Sequence, residues 1–185
     1  MKIILASKSP RRKQLLKKVV SKFEIVESKV KEFDWKNKTY SQNATWNAYR
    51  KAKKVSEKFP DRLVLGADTI VILKAQILGK PKNLKDAKRM LGSLSGQAHE
   101  VITGVCLLQA DPKIRVEFYD LTKVKMKKLT LQDIDNYVKK VHVLDKAGSY
   151  GIQENPKIIQ SIQGSYSNVM GLPVEKLRME LRKLR

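Results

Sequence analysis

The stretch LASKSPRRKQLL, Leu5 to Leu16, joins an apolar start to two serines, a proline and the cations Lys8, Arg11, Arg12 and Lys13. Ser9 is a preferred helix N-cap and Pro10 suits the first helical position. A strand running straight into a helix is expected, with unpaired N–H groups exposed at the helix start. The hydroxyls and guanidinium groups around them make an anion site, and a phosphate is the expected occupant. Cations at a helix N-terminus otherwise oppose the macrodipole, by roughly 0.3–1 kcal/mol each. A merely solvated basic turn is the plainer alternative.

Asp68 is the second such residue. It stands inside LVLGADTIVIL, whose other residues spell an apolar core strand. A carboxylate there needs a cation or a partner. Metal coordination or general-base duty would explain it, and so would a tight turn in which Asp68 and Thr69 cap their own backbone. Glu32 is a candidate second acid, with Glu24 and Glu27 nearby. In LDKAGSYGIQ, Gly148 and Gly151 free the backbone, while Lys146 and Gln153 could reach a ligand. His99 and His142 have no companions at zinc-ligand spacing, and neither is near a nucleophile in sequence. These parts together suggest metal-assisted attack of water on a phosphate ester or anhydride.

The elements that must hold these residues alternate in type, which predicts a mixed α/β domain. A first strand spans Lys2 to Ala6 and leads into the Ser9-capped helix. FEIVESKVKEF reads as a strand, or strand and loop, ending near Glu32. Ser41 to Phe59 is helical, with Ala48, Ala52, Val55 and Phe59 on one side. After the Asp68 strand, ILKAQILGKP resembles a hairpin, and Asn83 caps a helix that ends before Gly96. HEVITGVCLLQA and residues 115–129 form two strands across Asp111-Pro112. In the second of them Val116, Phe118, Val124 and Met126 face inward, and Lys123, Lys125 and Lys127 face solvent. Thr130 and Asp133 open another helix, and the last starts at Pro173. No repeat or linker divides the chain, so one domain over 1–185 is expected.

The formal charge of +21 predicts attraction to polyanions, but the cations are scattered and read mostly as surface. Aromatic residues make up 6% of the chain and do not interleave with basic clusters, so nucleic acid is not an expected partner. The single cysteine, Cys106, reads as a buried reduced thiol, which fits a cytoplasmic location. No signal peptide or membrane span is visible, so no membrane partner is expected.

Six stretches in order, LASKSPRR, GADTIV, LGKP, LSGQAHEVITGV, DKAGSYGIQ and GSYSNVMGLP, resemble the Maf family of nucleotide pyrophosphatases. The resemblance runs along nearly the whole chain. It implies a mixed sheet with flanking helices, two lobes around a nucleotide cleft, and often a homodimer. It also implies hydrolysis of a nucleoside triphosphate to the monophosphate and pyrophosphate, assisted by Mg²⁺ or Mn²⁺. By position, Asp68 would accept the proton from water and touch the metal, and Glu32 would help bind the metal. Ser7, Arg11, Arg12, Lys51 and Lys80 would line the triphosphate, with Arg50 and Lys53 as alternatives to Lys51. Arg11, Thr69 and Gln153 match positions linked to substrate choice. The DKAGSYGIQ form resembles the branch acting on dTTP, UTP and some modified pyrimidine nucleotides. A metal or lysine beside Asp68 would keep its pKa low.

Two departures from the family pattern are visible. Lys31-Glu32 replaces the usual acidic doublet, and Glu154 stands where a glycine often follows GIQ. Two other classes of protein remain as readings: a nucleotide sensor linked to cell division, and a basic nucleic-acid-binding protein that kept the fold.

Overall fold

The computed structural model describes residues 2–34 and 36–184. In chain order the elements are β1 (Ile3–Leu5), α1 (Pro10–Lys17), β2 (Phe23–Ile25), α2 (Tyr40–Ser56), β3 (Leu63–Leu73), β4 (Gln76–Leu78) and α3 (Leu84–Leu94). They continue with β5 (Ala98–Gln109), β6 (Ile114–Met126), α4 (Leu131–Lys140), β7 (Ile159–Gln163), α5 (Tyr166–Val169) and α6 (Val174–Lys183). The strands form one mixed sheet in the order β2-β1-β3-β5-β6-β7, with β4 paired to β3. Among the described residues no helix is long and apolar enough to cross a membrane.

The expected mixed α/β class is therefore found. The second strand is shorter than its sequence suggests: pairing stops at Ile25, because Glu24 and Ile25 are exposed and gain little from extending the ladder. The long helix starts at Tyr40, since Thr39 caps it with Gln42 in a capping box. The chain divides into two compact units.

The first unit comprises residues 1–69, 102–120 and 167–185. Here β1 lies parallel to both β2 and β3, with Leu5 opposite Leu65. The end of β1, the turn into α1, and Asp68 and Thr69 of β3 thus share the C-terminal end of the parallel strands. That is where open α/β sheets bind ligands. Ile4, Ala6, Val64 and Cys106 of the sheet pack against Ala48, Ala52 and Val55 of α2. Burial pushes the Cys106 thiol up to about 12, so it stays protonated and inert.

α2 is seated on two glycines. A Cβ at Gly66 would lie 2.1 Å from the Ala48 carbonyl oxygen and 2.9 Å from the Ala52 nitrogen. At Gly104 it would lie 2.3 Å from the Ala44 carbonyl carbon and the Thr45 nitrogen. Because these neighbours are backbone, they can yield only by moving the helix. Gly66→Ala is expected to lower stability by about 3 kcal/mol or more, read from the denaturant midpoint.

The second unit comprises residues 70–101 and 121–166. The hairpin β3–β4 pairs Val71 with Leu78 and turns at Lys74 and Ala75, both at positive φ. β6 pairs antiparallel with β7, Lys123 opposite Gln163. On β6 the inward face carries Val124 and Met126 and the outward face Lys123, as its alternation predicts. His99 is buried with its Nε2 2.7 Å from the Tyr150 hydroxyl, and burial pulls its pKa down to about 4.

Candidate active site

The first unit brings together Ser7, Arg11, Arg12, Glu32, Lys51, Asp68 and Thr69. Asp68 is 3% exposed and Lys51 6%. The Lys51 ammonium donates to Asp68 Oδ1 at 2.6 Å, to Glu32 Oε1 at 2.8 Å and to the Ala67 carbonyl at 3.3 Å. All three of its hydrogens are placed. Burial raises the Asp68 carboxyl above the usual aspartate range, and the Lys51 charge pulls it back. Glu32 raises it further and Arg12 lowers it. The direction is upward, which corrects the expectation of a low value: removal from water outweighs the lysine.

Arg12 is held from three directions. Its Nε donates to the Gly171 carbonyl at 2.9 Å, Nη1 to Ser7 Oγ at 3.4 Å and Nη2 to Thr69 Oγ1 at 3.1 Å. The Thr103 hydroxyl gives its proton to the Asn168 carbonyl at 3.0 Å, so at the 3.0 Å contact between the threonines Thr69 must be the donor. The polar chain therefore runs in one direction, from Arg12 through Thr69 and Thr103 to the backbone. A guanidinium has five N–H groups, so two remain for an anion. Ser9 caps α1 as expected, accepting from the Arg12 N–H, and Ser7 Oγ accepts from the Ser9 N–H at 3.2 Å. Arg11 lies in the first turn of α1 beside Arg12, whose electrostatic environment it shares.

Glu32 owes its place to one face of α2. Asn47 is 2% exposed and binds Phe33 twice, accepting its N–H at 3.1 Å and donating to its carbonyl at 2.8 Å. Arg50 donates to the Lys31 carbonyl at 3.0 Å and lies over the Phe33 ring at 4.9 Å. Asn43, Asn47, Arg50 and Lys51 follow the helical i, i+4, i+7, i+8 pattern. They grip residues 31–34 as a neighbouring strand would. Sequence reasoning missed Asn47, Thr103 and Asn168. The signal was present for Asn47, as a polar stripe beside the apolar stripe of Ala44, Ala48 and Ala52. Asn47→Leu removes both bonds to Phe33 and releases Glu32. We expect kcat/KM of the reaction that these acids serve to fall about tenfold while the thermal midpoint moves little, measured by steady-state kinetics and calorimetry.

Lys80 and Gln153 belong to the second unit. Lys80 is exposed and follows Gly79, whose carbonyl accepts from the Gly148 N–H at 3.1 Å. Gln153 is part-buried, and its Oε1 has no donor among the described residues. An unmet buried acceptor costs about 1–3 kcal/mol, which a ligand N–H would relieve. Lys146 does not reach for a ligand, contrary to the sequence reading. It is 3% exposed and bonded to the His142 carbonyl, to Asp145 at 2.8 Å and to Glu154 at 3.2 Å.

Among the described residues no group of three or more His, Cys, Asp or Glu is placed to hold a metal. The donor set is two carboxylates, Glu32 and Asp68, whose oxygens already converge on one cation. Hard oxygen donors of that number suit Mg²⁺ or Mn²⁺, which complete their shells with water and substrate phosphates. The residues fit such an ion.

A mixed sheet with a basic strand-to-helix turn and buried acids at the end of its parallel strands defines the class. The fold is that of the Staphylococcus aureus Ham1 protein structure, at a TM-score of 0.57 and 12% identity over all of both chains. At sequence level, the family profile described as Maf-like protein matches residues 2–184, and the chain belongs to that family. It is 48% identical over 183 residues to proteins named dTTP/UTP pyrophosphatase from Bacillus cereus (strain G9842) and Bacillus anthracis. The alignments cover 98% of this chain and 95% of each relative.

Proposed function

We propose that this chain is a nucleoside triphosphate pyrophosphatase that converts dTTP, UTP and modified pyrimidine nucleotides to the monophosphate and pyrophosphate. The observation that carries this reading is the buried Asp68 carboxylate, which shares the Lys51 ammonium with Glu32 while the Arg12 guanidinium adds its charge. Lys51 occupies Asp68 Oδ1, which leaves the other carboxylate oxygen to receive a proton. Water attacks the α-phosphorus, its proton passes to Asp68, and the bond to the bridging oxygen breaks with the electron pair leaving on pyrophosphate. Arg12, with Ser7 and Arg11, binds the phosphates and offsets charge on the departing group; Lys80 is assigned to the phosphates by the family resemblance. Thr69 orients Arg12.

Glu32 and Asp68 would hold Mg²⁺ or Mn²⁺, which when bound supplies further neutralisation of the triphosphate. Gln153 meets the base in this reading. An amide oxygen without a donor suits the imide N–H that thymine and uracil share and cytosine lacks. The rest of the reading is a cytoplasmic homodimer in which residues 1–185 act as one catalytic domain. The reduced, buried Cys106 supports the location, and the family resemblance supports the dimer.

The test is pyrophosphate release from dTTP, UTP, CTP, GTP and ATP with Mg²⁺ or Mn²⁺. Metal-dependent release led by dTTP or UTP is expected. Release led by a purine nucleotide would overturn the substrate assignment. Binding without turnover would favour a sensor.

A further inference from the structure

Lys146 is a buried cation that the proposed hydrolysis does not use. Its ammonium donates to the His142 carbonyl and to Asp145 Oδ1 at 2.8 Å, and forms an ion pair with Glu154 Oε1 at 3.2 Å. The Glu154 side chain is only 31% exposed, so this pair is partly withdrawn from water. Between the two lies Gly151. A Cβ there would stand 2.7 Å from Glu154 Oε2 and 3.0 Å from Lys146 Cε, so the pair closes directly against the backbone.

The same glycine is pinned by other groups. Its N–H donates to the Tyr137 hydroxyl at 2.9 Å, and its carbonyl accepts the Glu154 N–H at 3.1 Å. The turn from Gly151 to Glu154 is thus closed by its backbone, by Tyr137 and by the ion pair. Gln153 sits inside it, with an amide oxygen that no described residue satisfies. A turn held this firmly around an unmet acceptor is built to present that acceptor.

Without the Glu154 carboxylate, Lys146 would keep only Asp145 and the His142 carbonyl, and residue 154 would be tied back to Gly151 by its backbone N–H alone. We propose that Glu154, through its ion pair with Lys146, is a positioning residue that fixes Gln153 and so sets the discrimination among pyrimidine bases. The proposal rests on the reading that Gln153 meets the base.

The experiment measures kcat and KM for dTTP, UTP and CTP with the full chain and three variants. Glu154→Gln keeps the shape and removes the charge, Glu154→Asp keeps the charge, and Gln153→Leu removes the amide. For Glu154→Gln, KM for dTTP and UTP should rise about tenfold with kcat within about threefold, and the preference over CTP should narrow about as much. Glu154→Asp should recover part of that preference, which a role in stability alone would not predict.

Three outcomes overturn the proposal and are distinguishable. If Gln153→Leu changes the dTTP-to-CTP ratio and Glu154→Gln does not, the positioning role falls and the reading of Gln153 stands. If Gln153→Leu leaves the ratio unchanged, the reading of Gln153 falls and the proposal with it. An equal loss of kcat on all three nucleotides with a lowered thermal midpoint in Glu154→Gln also overturns it, since that is the mark of a structural residue.

Discussion

Asp68→Asn should leave a folded protein whose pyrophosphate release is down by about a thousandfold or more. Removing a general base typically loses 10²–10⁴-fold, and this residue also supplies half of the carboxylates available to a divalent ion. The geometry favours a clean result. Asparagine has the same shape, its amide oxygen still accepts from Lys51, and Lys51 keeps Glu32 and the Ala67 carbonyl. A carboxylate that burial disfavours is replaced by a neutral group, so stability should change by no more than about 1 kcal/mol in either direction. The check is pyrophosphate release beside thermal unfolding. Near-wild-type turnover in the variant would remove Asp68 from the mechanism.

Lys51→Met has the opposite character, because it should harm both fold and chemistry. It leaves Asp68 buried without its ammonium, and breaking a buried pair in this way typically costs about 3–5 kcal/mol. The carboxyl can escape only by taking up a proton, and its pKa, raised already by burial, must rise further. A folded-state pKa above the unfolded value means that the native state binds more protons between the two, so stability falls as pH rises through that window. The deficit of Lys51→Met should therefore be small near pH 4 and larger at pH 8, measured as unfolding free energy against wild type. A protonated Asp68 cannot accept a proton from water, so turnover should drop about a hundredfold or more at neutral pH. Adding Asp68→Asn to Lys51→Met should restore stability but not activity. Additive stability losses would show that the two side chains do not act as a pair.

What the sequence revealed of this site depended on how far each residue stood out from its surroundings. Asp68 was legible because a carboxylate in an apolar strand has few physical excuses. The start of α1 was legible because serine, proline and leucine at those positions have mechanisms as well as frequencies. Lys51 had no such contrast. The family resemblance named Lys51 with Arg50 and Lys53 as alternatives, but one lysine among 39 basic residues is set apart physically only once α2 is placed against β3. Asn47 was ambiguous for a related reason: its polar stripe beside the alanines reads as solvated until a segment is found lying across it. The direction of the Asp68 shift was misread because charge partners can be guessed from sequence, whereas depth of burial is a three-dimensional property. Lys146 was misread in the same way, since proximity to glycines suggested reach when its acceptors were in fact local.

The two glycine seats under α2 also tie catalysis to melting. The helix that rests against Gly66 and Gly104 carries Asn47, Arg50 and Lys51 together, and so holds the base, the second acid and its loop on one rigid support. At those two seats the support cannot slacken by degrees, because the contacts there are backbone against backbone. Heat should therefore extinguish turnover and native signal in a single shared transition, leaving no folded but idle species on the way.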